Sequence, residues 1–219
     1  MNAEVIKNGL PFLLEGALVT FEISILAILI GTVLGFVLCM MRLSHIRLVQ
    51  QIAFTYIWLF RGLPLLIILF LFYYAAPSIG ITLTAFEAGL LGMSLNAAAY
   101  KAEIIRSGML AVQKGQIEAA EAIGMNPFQI MFRIRIPQVI RLIIPPYINN
   151  SVVLLKESAQ VSVITVPDLM LNAQTQYSST YLPLETLGVA AVLYLIMTSS
   201  LMLVQTWTEK KLKVAQNNR

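Results

Sequence analysis

Few side chains in this sequence can do chemistry, and several of them stand inside apolar stretches. Lys156, Glu157, Ser158 and Gln160 sit together in LKESAQ, Asn96 and Tyr100 in SLNAAAYKAE, and Glu22 near the start of the first apolar run. A charge at membrane depth is expensive and faces protein or water rather than lipid. Counted by helical rise, Asn96 and Lys156 each fall near the midpoint of their run, which puts them at similar depth. A cation and an amide at one level suit a ligand with a carboxylate. Glu157, Gln160 and Glu22 would supply acceptors. The alternative is a structural pair, Lys156–Glu157 or Lys156–Glu22, that only fixes helix packing. Glu103 and Arg106, three apart beyond Tyr100 and Lys101, can pair with each other and read as structural groups near an inner gate.

A second constellation is Lys114 to Gln138, KGQIEAAEAIGMNPFQIMFRIRIPQ. A helix is expected over Gln116 to Ile123, with Gly124 where a terminating glycine belongs. Asn126-Pro127 reads as an N-cap followed by proline at the first helical position. That second helix is expected to stop before Pro137, because the residue preceding a proline avoids the α region. On the first helix Ile117, Ala120 and Ile123 share one face, and Glu118 and Glu121 another. The small residues Ala119 and Ala120 let a partner approach the backbone. Two short helices at a tight corner make a docking surface; an ordinary solvated loop is the other reading.

These groups need a membrane scaffold. The chain has 219 residues, 58% hydrophobic and only 12% charged, against about 25% charged in a soluble globule. Five spans are expected, over Gly16–Met41, Gln51–Ser78 with an interruption at Arg61–Pro64, Phe86–Ala111, Pro146–Val166 and Leu187–Val204. Residues 1–11 read as a polar lead, Pro167 to Gln174 as a short helix at the far surface, and Gln174 to Thr180 as a loop. Gly31 and Gly35 form a small-xxx-small pattern that admits a neighbouring helix. Pro64 should kink or break its span. Arg42, Arg47, Lys114, Arg133, Arg135, Arg141, Lys210, Lys211, Lys213 and Arg219 fall in connectors on one side and only Lys7 on the other, so the N-terminus is expected outside and the C-terminus in the cytoplasm. The net charge of +4 then records topology and not a nucleic-acid partner.

One His, one Cys and no G-x-x-x-x-G-K-[ST] leave no metal site, no catalytic triad and no phosphate cradle. His45 reads as a solvated connector residue and Cys39 as a packing residue. The chain is not expected to be an enzyme, and it binds no cofactor of its own.

EAAEAIG followed by Pro137 resembles the EAA loop of ABC-importer permease subunits, and GQIEAAEAIGMNPFQIMFRIRIPQ is similar to the polar amino acid branch of that family. RGLPLLIILFLFYY resembles the family's RGTPLL segment with Leu63 in place of a small hydroxyl residue, and KESAQVSVI its LKD-T-S-type segment. The resemblance implies an all-α integral membrane protein with the type I ABC importer (MetI-like) permease fold, five transmembrane helices, and one domain over residues 1–219. It implies that the loop at 114–138, with Glu118, Ala119, Ala120, Gly124 and Pro137, couples to two cytoplasmic ATPase subunits, which use ATP and Mg²⁺. A solute-binding protein outside, a second permease copy forming a homodimer or heterodimer, and a prokaryotic inner membrane complete the expectation. Lys156 would take the α-carboxylate of an amino acid, and Glu22 or Glu157 its ammonium. Zwitterions such as glutamine or cystine fit, and a basic amino acid stays open. Two rivals are an ion-coupled secondary transporter and a non-transporting scaffold or sensor.

Overall fold

The computed structural model describes residues 3–217, with no side-chain description for Ala3 or beyond Lys211; of the basic residues counted above, Arg219 and the side chain of Lys213 lie outside that range. The described residues form helices and turns without a strand. In order they are α1 (Ala3–Arg42), α2 (Arg47–Gly62), α3 (Leu65–Phe70, continued by a π turn and a 3₁₀ turn to Ile79), α4 (Ala85–Ala111), α5 (Lys114–Ala122), α6 (Pro127–Ile130), α7 (Ile136–Glu157, continued by 3₁₀ turns to Ile164), α8 (Leu169–Thr180) and α9 (Pro183–Asn217). Three of these helical runs, Glu4–Arg42, Pro127–Ile164 and Pro183–Lys211, are long and apolar enough to cross a membrane. A fourth candidate is the pair Arg47–Gly62 and Leu65–Ile79, bent by 104°. α4 has the length, with 27 residues, but Glu87, Lys101, Glu103 and Arg106 dilute its apolar character.

α4 is the centre of the bundle, and small residues let α1 lie directly on it. A Cβ added at Gly31 would sit 2.7 Å from that of Ala97, and one at Gly35 would sit 2.9 Å from that of Lys101. The expected small-xxx-small pattern therefore works as a close helix contact. Ile23, Ala27, Ala88, Met93, Val161 and Ile164 fill the core at one end of this contact, and Leu38, Ala53, Ala98 and Ala102 form a second cluster at the other. α4 begins with a capping box: the Thr84 hydroxyl accepts from the Glu87 N–H, and the Glu87 carboxylate accepts from the Thr84 N–H.

The prolines behave in two ways. Pro64 breaks its span, as expected from its missing N–H. The helix does not stop before Pro137. Ile136, at φ −54° and ψ −48°, is helical, and α6 runs into α7 through a π turn at Met131–Arg135. In that turn the Ile136 N–H donates to Met131 five residues back. The wider turn takes up the register change, so the helical run continues past a proline placed in the first turn of α7, where no N–H is needed.

Element ends differ from the sequence reading in consistent directions. The supposed polar lead is helical from Ala3 with Pro11 inside it, the fourth span is the upper part of the run Pro127–Ile164, and the loop expected over Gln174–Thr180 is the second half of α8. α8 is polar, and tertiary contacts hold it. The Asp168 carboxylate caps it by accepting from the Leu171 N–H at 2.9 Å, and the Asn172 amide donates to the Phe12 carbonyl of α1 at 2.8 Å. Asp168 is fully buried, and that burial pushes its carboxyl up to about 6.

Candidate functional site

The corner between α5 and α6 is built almost entirely from local signals. Gly124 adopts φ +80°. Its N–H donates to the Glu121 carbonyl at 2.9 Å, while the Met125 N–H reaches the Ala120 carbonyl at 3.0 Å. These two bonds form a Schellman stop, which needs a left-handed residue and favours glycine. The chain restarts at once: the Asn126 side chain accepts from the Gln129 N–H at 2.9 Å, and the Gln129 side chain accepts from the Asn126 N–H at 3.0 Å. With Pro127 in the first turn, the second helix starts where the sequence placed it.

This corner exposes what it carries. Glu118, Ala119 and Glu121 are exposed, Ile123 is 78% exposed and Phe128 is 70% exposed. The Phe128 and Phe132 rings lie 4.4 Å apart between centroids. Ala120 is buried and Ile123 is not, although both border the same cavity at the end of α5. Ala119, Ala120 and Pro137 line one cavity of about 520 Å³, closed on another side by Arg133 and Arg141. The Gln138 amide donates to the Gln116 side chain at 2.6 Å and ties the corner to α7. Apolar rings beside carboxylates on a preformed corner make a surface for a protein partner.

The polar residues at membrane depth divide into a buried set and an outward set. Gly108 lies against Val139 and Ile143, Lys101 against Ser151, and Gly89 against Val161 and Ile164, so α7 runs antiparallel to α4. Five residues along each helix from the Lys101–Ser151 contact bring Asn96 and Lys156 to one level. They do not face each other. Asn96 is buried, and its Nδ2 donates to the Phe60 carbonyl at 2.9 Å. That carbonyl is the one whose helical donor would have been the N–H of residue 64, which proline lacks. Lys156 and Glu22 are exposed, and Glu157 and Gln160 are half-buried where α7 gives way to 3₁₀ turns. Those turns end at Thr165, at φ +66°. Tyr100 lies apart from them, with its ring 5.3 Å from the Arg61 guanidinium. Glu103 and Arg106 pair at 2.7 Å.

Two arrangements were not read from the sequence. The Asn96–Phe60 bond could have been found from Pro64, which frees a carbonyl four residues back beside an amide at the right depth. The other is Lys101, with no exposed surface, whose Nζ donates to Ser151 at 3.2 Å and lies 3.6 Å from the Tyr147 ring centroid. Its signal was Gly35, the small residue that makes room for it.

The chain thus combines a bundle of long apolar helices with an exposed, locally capped corner, a form that suits a membrane subunit working with a protein partner. The comparisons agree. Residues 27–214 match the family described as binding-protein-dependent transport system inner membrane component, and the chain belongs to that family. It is a permease subunit, and in such systems ATP is hydrolysed by a separate subunit. A permease protein of Rickettsia bellii named for a glutamine transport system is 41% identical over 205 residues, covering 93% of this chain and 94% of that one. The arginine transport system permease protein of Bacillus subtilis is 38% identical with the same coverage. A crystal structure of an amino acid ABC transporter with histidines matches 92% of this chain and 94% of its own at 37% identity and TM-score 0.87. An inward-facing methionine ABC transporter, at 19% identity and TM-score 0.73, shares the fold. The architecture is therefore the all-helical type I importer permease fold.

Proposed function

We propose that this chain imports polar L-amino acids into a prokaryotic cell by alternating access, as the permease of an ATP-driven, binding-protein-dependent system. The relatives named for glutamine and arginine and the histidine-bearing structure support the substrate class. Residues 1–219 act as one domain of five spans in the inner membrane: α1, the bent pair α2–α3, α4, the run Pro127–Ile164, and α9. The N-terminus is outside and the C-terminus in the cytoplasm, a reading supported by the crowding of basic residues on the side of the α5–α6 corner. Two ATPase subunits consuming ATP and Mg²⁺ dock there, a solute-binding protein delivers substrate from outside, and a second permease copy completes the pathway as a homodimer or a related heterodimer.

The observation that carries this reading is the capped, exposed α5–α6 corner. Closure of two ATPase subunits on ATP draws two such corners together, and ATP favours that state because the corners fit it better. Lys156 binds the substrate carboxylate, Glu22 or Glu157 its ammonium, and Gln160 and Tyr100 line the way. Asn96 holds the α2–α3 bend beside them. An outward Lys156 suits a pathway shared with a second copy. Reconstitution with the ATPase and binding protein tests the scheme through uptake of labelled glutamine, histidine and arginine. Lys156→Ala is expected to cut uptake and substrate-stimulated hydrolysis while ATPase association stays normal. Uptake that persists without the ATPase subunit would contradict the scheme and favour an ion-coupled transporter.

A further inference from the structure

A second cavity, of about 440 Å³, lies where the last turn of α1, the second half of α2 and the second half of α4 meet. Arg42, Arg61 and Arg106 line it with one carboxylate, Glu103. Glu103 is occupied, since Arg106 grips both of its oxygens at 2.7–3.1 Å. The other two guanidinium groups sit over rings: Arg42 is 5.1 Å from the Phe54 centroid and Arg61 is 5.3 Å from that of Tyr100. The Arg42 Nε is buried with no hydrogen-bond partner. The lining thus carries two positive charges in excess, held in place by aromatic faces, with donors left over.

The outer wall is apolar. Trp58 is 65% exposed, and Phe54, one turn earlier on α2 and also in the lining, is 53% exposed. α2 buries only Ala53 and Ile57, and it turns away from α3 through the 104° bend, so most of its surface is uncovered within this chain. Tryptophan is enriched at the level of lipid headgroups, and basic pockets between membrane helices hold anionic headgroups.

We infer that this cavity binds the phosphate of an anionic phospholipid from the leaflet that contains the α1–α2 connector, through Arg42 and Arg61, with the acyl chains along Trp58 and Phe54. Guanidinium forks match phosphate oxygens. An amino acid is a poor occupant, because its ammonium needs a carboxylate and Glu103 is spent on Arg106.

The transporter complex, purified and placed in nanodiscs of phosphatidylcholine with or without phosphatidylglycerol, tests this by mass spectrometry of retained lipid. Phosphatidylglycerol is expected to be retained selectively. Arg42→Gln or Arg61→Gln is expected to lower that retention about fivefold each, while Lys211→Gln leaves it unchanged. Brominated phosphatidylglycerol is expected to quench Trp58 in a Trp207→Phe chain more than brominated phosphatidylcholine does, a readout that needs no arginine variant. Equal retention in the arginine variants and the parent overturns the assignment. So does equal quenching by the two lipids, equal occupancy by soluble glycerol phosphate, or a cross-link showing that the second permease copy covers Trp58.

Discussion

The α5–α6 corner and the centre of the membrane bundle solve opposite problems. The corner stores its shape locally in one left-handed glycine, one Schellman stop and one capping box, and leaves its side chains exposed. The centre spends its polar groups on itself: Asn96 closes the carbonyl freed by Pro64, and Lys101 bonds Ser151 and lies over Tyr147. Lys156 and Glu22, by contrast, are exposed. In this chain, residues that hold the scaffold and residues free to meet a ligand or partner are separable by what their polar atoms already touch.

The sharpest way to break that contrast is to force the α1–α4 contact. Gly35→Leu places a side chain where a Cβ alone would be 2.9 Å from that of Lys101 and 3.0 Å from the Ala98 carbonyl. It should cost at least about 1–3 kcal/mol, read as loss of monodisperse protein in detergent. Asn96→Ala comes next. It orphans the Phe60 carbonyl, costs about 1–3 kcal/mol, and should lower Tm with little change in substrate affinity. Loss of affinity at unchanged Tm would move Asn96 from the scaffold to the ligand.

The Asp168 carboxyl offers a titration. Burial raises it to about 6, so the folded chain keeps a proton that the unfolded chain has already lost. Its contribution is present below the ordinary carboxylate range and is lost as pH rises to about 6. Thermal scans across that window should show stability falling with pH, and Asp168→Asn should flatten the slope. The smallest effect is expected at the corner, where Gly124→Ala strains a residue at φ +80° by roughly 1 kcal/mol and should loosen ATPase association while leaving the bundle intact.

Much of this was legible in advance because its causes are short in sequence. The corner was readable from Gly124, Asn126 and Pro127, and the bend from Pro64. What escaped needed a neighbour. Pro137 looked like a stop because a proline's local preference is clear, whereas the π turn that carries the helix past it is not encoded in any single residue. The second half of α8 looked like a loop because the partners that hold this helix, Thr20, Phe12 and Val5, lie in α1. Asn96 and Lys156 were read as lying at one level, and they lie equally far along α4 and α7 from the Lys101–Ser151 contact, but which way each one faces is decided by Phe60 and by the packing of three helices.

The central claim is that motion enters through the exposed carboxylate side of the α5–α6 corner, and Glu118→Lys tests it most directly. In proteoliposomes holding the permease with its ATPase and binding protein, ATP-driven uptake and hydrolysis are measured alongside co-purification of the ATPase. The account predicts that uptake collapses, through lost ATPase association or through hydrolysis that no longer drives transport, while membrane insertion and Tm match the parent. Uptake and coupling equal to the parent would contradict it.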